Sequence, residues 1–343
     1  MALWLVRAGR VGEYEEKFLT EERIYLTWGN LSENLSALAA RDEVTKLLEQ
    51  TYPDKKVGQI RNWAGQIWSF ASSMSVGDWV ILPSKKKSAI HIGEITSDYY
   101  HSPELGSPYF HYRTVKWFAT DIPRSNFDQD LLYSLGAFLT ICRIKRNDAE
   151  NRIKKMSKNN WKSSASDIPL VPANDGDDEQ TSIDLEELAR DQIAKVIISK
   201  FKGHGLANLV DAILQAQGFT THVSPEGPDK GVDILAAPGV LGFGSPRLCV
   251  QVKSSDSPLD RPTLDQLIGA MQNFKAEQGL LVSWGGFKST VDKEIPSQFF
   301  SVRLWDAADI VDEFFRHYDS LDEDIKAEIP LKRVWTLAIT DDD

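Results

Sequence analysis

GPDKGVDIL (Gly227–Leu235), followed after a glycine-rich loop by LCVQVKSS (Leu248–Ser255), decides the reading of this chain. Both runs are short, rich in β-branched residues and bounded by Gly, Pro, Asp and Ser, the pattern of two neighbouring strands. Side chains alternate faces along a strand, so Gln251 and Lys253 share one face while Val250 and Val252 point into a core. With Asp233 at the start of the other strand, an acid, an amide and an ammonium meet at one strand pair. Asp233 supplies an anionic oxygen for a divalent metal and Gln251 a neutral one, while Lys253 offers a positive charge to an attacking hydroxide or a crowded phosphate. Hydrolysis of a nucleic-acid backbone is the natural use of such a set. An exposed Gln-x-Lys strand face without chemistry would read the same in isolation, so the flanking pattern carries the weight. Glu226 and Asp229 lie in the turn before Asp233, where ordinary turn-forming explains them.

The flanks alternate. A helix over Leu206–Phe219 precedes the pair, and a helix with QLIGAMQNF (Gln266–Phe274), a strand GLLVSW, a helix through DKEIPSQFF, a strand VRLWD and a helix ADIVDEFFRHY follow it. This order predicts an α/β domain with a mixed central sheet. GGFKST (Gly285–Thr290) reads as a strand-to-helix turn. From about Asp184 to Phe315 the ordered motifs resemble the Mrr-type restriction endonuclease family, whose catalytic domain is similar to the PD-(D/E)XK nuclease fold with Gln in place of the second acid. The resemblance implies Asp233, Gln251 and Lys253 as the catalytic set, with Asp233, Gln251 and the main-chain carbonyl of Val252 holding Mg²⁺ or Mn²⁺. The family's first helix often carries a Phe-Glu pair, and the matching positions here are Leu206 and Ala207. Asp211, one turn on, is the candidate to replace that missing acid.

At 343 residues the chain is long enough for two domains with cores of their own. It shows no apolar run of membrane-spanning length and no signal-peptide layout, so a soluble cytoplasmic protein is expected. Two cysteines, Cys142 and Cys249, each in an apolar setting, exclude a disulfide framework or a paired-cysteine zinc site and read as core residues. There is no HExxH and no phosphate-binding GxxxxGK[ST] loop. The net charge of −11 is unevenly spread: residues 1–158 hold 22 Lys+Arg against 19 Asp+Glu, leaving 17 against 31 for the remainder. A global acidic balance therefore leaves room for a local basic groove.

Residues 157–181 are rich in Ser, Asn, Asp, Pro and Gly without apolar periodicity, which marks an acidic linker between a domain of residues 1–156 and one of residues 182–343. A helix is expected after it, through IDLEELARDQIAKVIISKF. The first domain reads as α+β, with strands in ALWLVRAG, RIYLTWG, GDWVIL, HIGEI and RTVKWF, and helices near Ala39–Tyr52 and through NWAGQIWSFAS. This layout resembles the PUA-like superfamily that includes EVE and YTH modules, a small open barrel associated with flipped or modified bases. Every base has a π-face, so an aromatic slot suits an extruded base, with polar neighbours reading its edge. Trp28 at a strand end, Asn30 beside it, and Trp63 or Trp68 are the candidates, while Trp79 reads as core. Trp63 and Trp68 stand five apart on one helix and do not share a face. Lys85, Lys86 and Lys87 sit at a hairpin tip and are candidate phosphate contacts.

These readings converge on a metal-dependent DNA endonuclease of restriction or phage-defence type, with DNA, modified or unmodified, as partner and a homodimer for cutting both strands. The alternatives are a nucleic-acid-binding protein with a degenerate nuclease domain, and an RNA-directed binder.

Overall fold

The structure is a computed structural model and describes residues 1–136, 139–163, 185–225 and 231–335. Glu226, Asp229 and residues 164–181 of the expected linker lie outside the described residues. The chain forms two compact units, one built from residues 1–122 and the described residues from 127 to 163, the other from residues 186–225 and 231–333 together with Pro123–Asn126.

In the first unit the strands are β1 (Leu3–Val6), β2 (Arg23–Tyr25), β3 (Trp79–Pro83), β4 (Ala89–Ile95), β5 (Tyr100–His101), β6 (His111–Pro123) and β7 (Ile141–Arg143). They form one sheet of order β2-β6-β4-β3-β1-β7, with β5 added on β6, curled into a half-barrel. β1 and β3 run parallel, with the helices α1 (Glu15–Thr20), α2 (Arg41–Thr51) and α3 (Val57–Trp68) all in the connection between them. Alternation divides the sheet cleanly. Trp4, Val6, Val80 and Leu82 pack with Val44 and Leu48 of α2 and with Ile60, Ala64 and Ile67 of α3. Leu3, Leu5, Ile81, Ile90 and Ile92 face α4 (Gln129–Leu135) and α5 (Ala149–Met156). Trp79 departs from the expectation of a core residue: it is half-buried, its ring 4.9 Å from Phe118, at the margin of the face that α4 and α5 cover.

The second unit begins with α6 (Leu185–Lys200) and α7 (His204–Ala216), then β8 (Phe219–Val223), β9 (Ile234–Pro238), β10 (Leu248–Lys253), α8 (Arg261–Phe274) and β11 (Gln278–Ser283). It closes with α9 (Ser289–Asp292), β12 (Val302–Trp305), α10 (Ala307–His317) and α11 (Glu323–Glu328). The sheet order is β12-β11-β10-β9-β8, with β10, β11 and β12 parallel and β8, β9 and β10 antiparallel. This is the α/β domain with a mixed sheet that the alternation of elements predicts. One element differs: instead of a helix through DKEIPSQFF there is a single turn, α9, and a separate 3₁₀ turn Ile295–Gln298, because Pro296 lacks the N–H a continuous helix needs. Within this unit Arg124 donates from Nε and Nη2 to the Asp191 carboxylate at 2.9 and 2.6 Å and pairs with Glu187, which brings the stretch Pro123–Asn126 onto α6.

α3 ends in a π-helical turn, Ser69–Ser73. Such a turn frees main-chain carbonyls from the regular ladder. Arg113 of β6, almost fully buried, meets them: Nε donates to the Phe70 carbonyl at 2.7 Å, Nη2 to Ala71 at 3.0 Å and Nη1 to Ser97 at 3.2 Å. Replacing Arg113 by Met keeps the volume and leaves three carbonyls without that donor, so the first unit should lose about 3 kcal/mol of stability. Urea denaturation of the full chain measures this; a loss below about 1 kcal/mol would mean the carbonyls have other donors.

Candidate active site

Strand pairing between β9 and β10 runs through Ala236–Leu248, Leu235–Cys249 and Ile234–Val250, and Asp233 still donates its N–H to the Val250 carbonyl at 2.9 Å. Beyond this point no β9 carbonyl takes up the next β10 donor. The Val252 N–H instead donates to Oδ2 of Asp233 at 2.7 Å, a charge-assisted bond that fixes the carboxylate in the gap where the strands part. On its other side β10 stays paired with β11, where the Lys253 carbonyl accepts from the Trp284 N–H at 2.9 Å. The N–H and C=O of one strand residue point to the same side, so the Val252 carbonyl faces the gap that holds Asp233.

The faces follow from packing. Ile234, Val250 and Val252 join the core beneath α7 and α10, while Leu235 and Cys249 pack on the side of α8. Alternation along β10 then puts Gln251 and Lys253 on the α8 side, and Asp233, just before β9, reaches β10 through its bond to the Val252 N–H. Gln251 is 2% exposed, and its Oε1 finds no hydrogen-bond donor among the described residues. Gly231, with a positive φ of 82°, lies close by: a Cβ there would stand 3.9 Å from Gln251 Nε2. Cys249 is not a competing nucleophile, since burial pushes its thiol up to about 11. Contrary to the expectation for both cysteines, Cys142 is only half-buried.

Asp211 stands on α7, held by a local hydrogen bond. Its Oδ2 accepts from Gln215 Nε2 at 2.8 Å, and Gln215 also donates to Thr221 Oγ1 of β8 at 3.0 Å, on the helix that packs against the opposite face of the sheet. Its Oδ1 is buried and finds no donor among the described residues. Ala207, at the position of the missing helical acid, is buried in the apolar core. Among the described residues no group of three or more His, Cys, Asp and Glu could hold a metal ion. The oxygens these residues offer are of another kind: one carboxylate, one buried amide and one main-chain carbonyl. An all-oxygen set of this sort fits Mg²⁺ or Mn²⁺ better than a softer ion.

In the first unit Trp28 and Trp63 meet edge to face at 6.3 Å, and Tyr52 meets Trp63 at 5.3 Å, so two rings stand nearly perpendicular to the Trp63 plane. All three are half-buried, Asn30 is exposed beside them, and Lys55 lies 6.0 Å from the Trp63 ring. Trp68 packs against the core on its own and makes none of these ring contacts. The loop that carries Trp28 and Asn30 is tightly held. Ser107 Oγ donates to the Gly29 carbonyl at 2.8 Å, His111 Nε2 to Leu31 at 2.8 Å and His101 Nε2 to Ser32 at 2.8 Å. With its Nε2 proton on a carbonyl, His111 accepts from the Tyr99 hydroxyl at Nδ1, 2.7 Å away, and burial pushes its pKa down to about 4, so it stays neutral. Tyr52 and these pins escaped sequence reasoning, because nothing in sequence spacing announces contacts across eighty residues. At the hairpin tip Lys85 and Lys86 are exposed, whereas Lys87 pairs with Asp121 at 3.4 Å.

Comparison with known proteins bears on both units. Residues 198–314 match the family described as restriction endonuclease, and residues 4–134 match a family described only as a domain of unknown function. No curated protein matches the chain. Among solved structures, the MspJI restriction endonuclease in complex with a 27-mer oligonucleotide aligns at 13% identity and a TM-score of 0.32, over 74% of this chain and 64% of that one. The DNA modification-dependent restriction endonuclease AspBHI aligns at 14% identity and a TM-score of 0.31, over 69% and 63%. The chain thus spans less than two thirds of either. No helix among the described residues is long and apolar enough to cross a membrane. The C-terminal unit of this chain carries a restriction endonuclease domain of the Mrr type.

Proposed function

We propose that this chain is a divalent-metal-dependent DNA endonuclease of restriction or phage-defence type, acting in the cytoplasm, in which the first unit selects the DNA and the second cuts it. The observation that carries this reading is the buried, unpaired Oε1 of Gln251 next to the Val252–Asp233 hydrogen bond, within the segment that matches the restriction endonuclease family. An amide oxygen stripped of water and left without a donor costs free energy, and such a cost is kept where a ligand repays it. Asp233, Gln251 and the Val252 carbonyl would hold Mg²⁺ or Mn²⁺, and the Lys253 ammonium would stabilise the attacking hydroxide or the crowded phosphate. The bound ion supplies charge neutralisation at the scissile phosphate. Cutting both strands calls for two such sites, so the proposed working form is a homodimer. The buried Ala207 and the diverted Asp211 favour the other reading, a DNA- or RNA-binding protein whose nuclease domain is degenerate. Incubation of methylated and unmethylated duplex DNA and of RNA, with and without Mg²⁺, separates the two.

Asp233→Ala and Lys253→Ala should abolish cleavage while DNA binding persists. Gln251→Glu should lower the Mg²⁺ needed for half-maximal activity, and Gln251→Met should raise thermal stability by about 1 kcal/mol through removal of the unpaired amide. Wild-type cleavage by either alanine variant would reject the assignment, as would a Gln251→Met protein less stable than wild type.

The first unit is proposed to read an extruded base, modified or unmodified, in a slot floored by Trp63 and walled by Trp28 and Tyr52, with Asn30 at the base edge. The pinned loop means that this slot is built before any ligand arrives, which lowers the entropic cost of binding. Stacking on one ring contributes roughly 1–3 kcal/mol, so Trp28→Ala should weaken binding to the preferred DNA about tenfold to a hundredfold at fixed salt. Replacing Lys85 and Lys86 should weaken all DNA alike and flatten the salt dependence. A folded Trp28→Ala protein that binds the modified and unmodified duplexes as wild type does would place the slot elsewhere.

The two functions are proposed to reside in separately folding domains, residues 1–156 and 182–343, joined by the acidic linker 157–181, whose composition favours solvent over a core. Limited proteolysis should first nick the chain between Ser157 and Thr181. A first cut inside either flanking domain would overturn these boundaries.

A further inference from the structure

We infer that the connections leaving the C-terminal ends of β10 and β11 are tied into one ledge that sets the position of Lys253, and that Gly285 is the positioning residue that lets the ledge close. The inference rests on the reading of Lys253 as catalytic. At a topological switch point the loops after neighbouring parallel strands leave on opposite faces and open a crevice at the carboxyl ends. Here they do not. Beyond the last strand pair, the Trp284 N–H donates to the Lys253 carbonyl at 2.9 Å, the Leu259 N–H to the Gly286 carbonyl at 2.9 Å and the Lys288 N–H to the Leu259 carbonyl at 2.9 Å. Leu259 and Phe287 thereby form a further parallel bridge, well past the end of β10. Ser283, fully buried, adds a hydrogen bond from Oγ to the same Gly286 carbonyl at 2.8 Å.

Between the two ties the segment Ser254–Pro258 passes directly over Gly285. A Cβ at position 285 would lie 2.6 Å from the Ser257 nitrogen and 2.7 Å from the carbonyl carbons of Asp256 and Ser257. All three atoms are main chain, so no rotamer change relieves the clash, and the two connections must separate. The nearest bond to give way is the one from Trp284 to Lys253, one residue from Gly285 on one strand and at the catalytic candidate on the other. Lysine is a long side chain whose charge is only as well placed as the main chain that carries it. Displacement of about 1 Å is enough to cost on the order of a hundredfold in rate.

The test uses the full chain, Mg²⁺ and supercoiled plasmid DNA in whichever form, methylated or unmethylated, the wild type cuts. Gly285→Ala should lower the single-turnover cleavage rate about a hundredfold while leaving plasmid binding without metal unchanged. Its amide hydrogen exchange should quicken across residues 254–260 and 284–288 and nowhere else in the domain. Gly269→Ala, on α8 where an added Cβ meets nothing within 4 Å, should cleave as wild type. Ser283→Ala, which loosens the same turn without overpacking, should show a smaller loss with the same exchange signature and serves if Gly285→Ala does not fold. The ledge is overturned if Gly285→Ala cleaves at the wild-type rate while Lys253→Ala is inactive, or if Ser283→Ala cleaves and exchanges as wild type. A Lys253→Ala protein that cleaves normally removes the reading beneath it, whatever Gly285→Ala does.

Discussion

The hydrogen bond from the Val252 N–H to the Asp233 carboxylate is the constraint around which the nuclease unit is arranged. A strand donor facing a gap needs an acceptor, and one left unpaired in a sheet interior costs as much as a lost hydrogen bond. By supplying a side-chain acceptor at the point where β9 leaves β10, Asp233 lets the sheet open without that cost. The opening in turn turns the Val252 carbonyl toward the carboxylate. A single residue thus ends the strand pairing and offers an anionic group to the proposed site, which accounts for an acid just before its strand and not within it. Its own main chain stays anchored on both sides, since its N–H donates to Val250 and its carbonyl accepts from the Ser224 N–H at 2.8 Å.

Much of this arrangement was legible in the sequence because it is local or periodic. The strand pair, the shared face of Gln251 and Lys253, and the order of helices and strands all follow from alternation and from turn residues at fixed spacing. What could not be read is what depends on contacts between distant segments. Nothing in GGFKST distinguishes a plain turn from one that packs against residues thirty positions earlier. Asp211 had the correct helical spacing to replace the missing acid, yet Gln215 at i+4 captures it, a local bond that competes with any role elsewhere. The helix expected through DKEIPSQFF failed for a reason that was on the page, Pro296.

In the first unit the aromatic residues sorted themselves in a way that density alone did not forecast. Trp79 lies at a sheet margin with Phe118, Trp68 on the core, and only Trp28 and Trp63 meet, with Tyr52 from the end of α2 as the unexpected third ring. Three side chains hold the carbonyls of Gly29, Leu31 and Ser32, so the main chain around Asn30 has few of its own hydrogen bonds left to make. That leaves the Asn30 side chain as the polar group presented beside the rings. An amide offers both a donor and an acceptor, as a base edge does.

The neutrality of Gln251 gives the two readings of the nuclease unit their physical contrast. A carboxylate buried to the same extent would carry a large desolvation penalty in the absence of metal, and would relieve it by taking up a proton. An amide cannot be protonated at ordinary pH, so the penalty is smaller and independent of pH. In the proposed site, one negative charge instead of two would attract a divalent cation less strongly but would need no change of protonation to receive it. A degenerate site under no such demand would be expected to fill the pocket with an apolar side chain, which the surrounding core of Val232, Cys249, Leu264 and Leu281 would accommodate without an unpaired oxygen. The persistence of the amide in that setting is the strongest argument that the oxygen has a partner to meet.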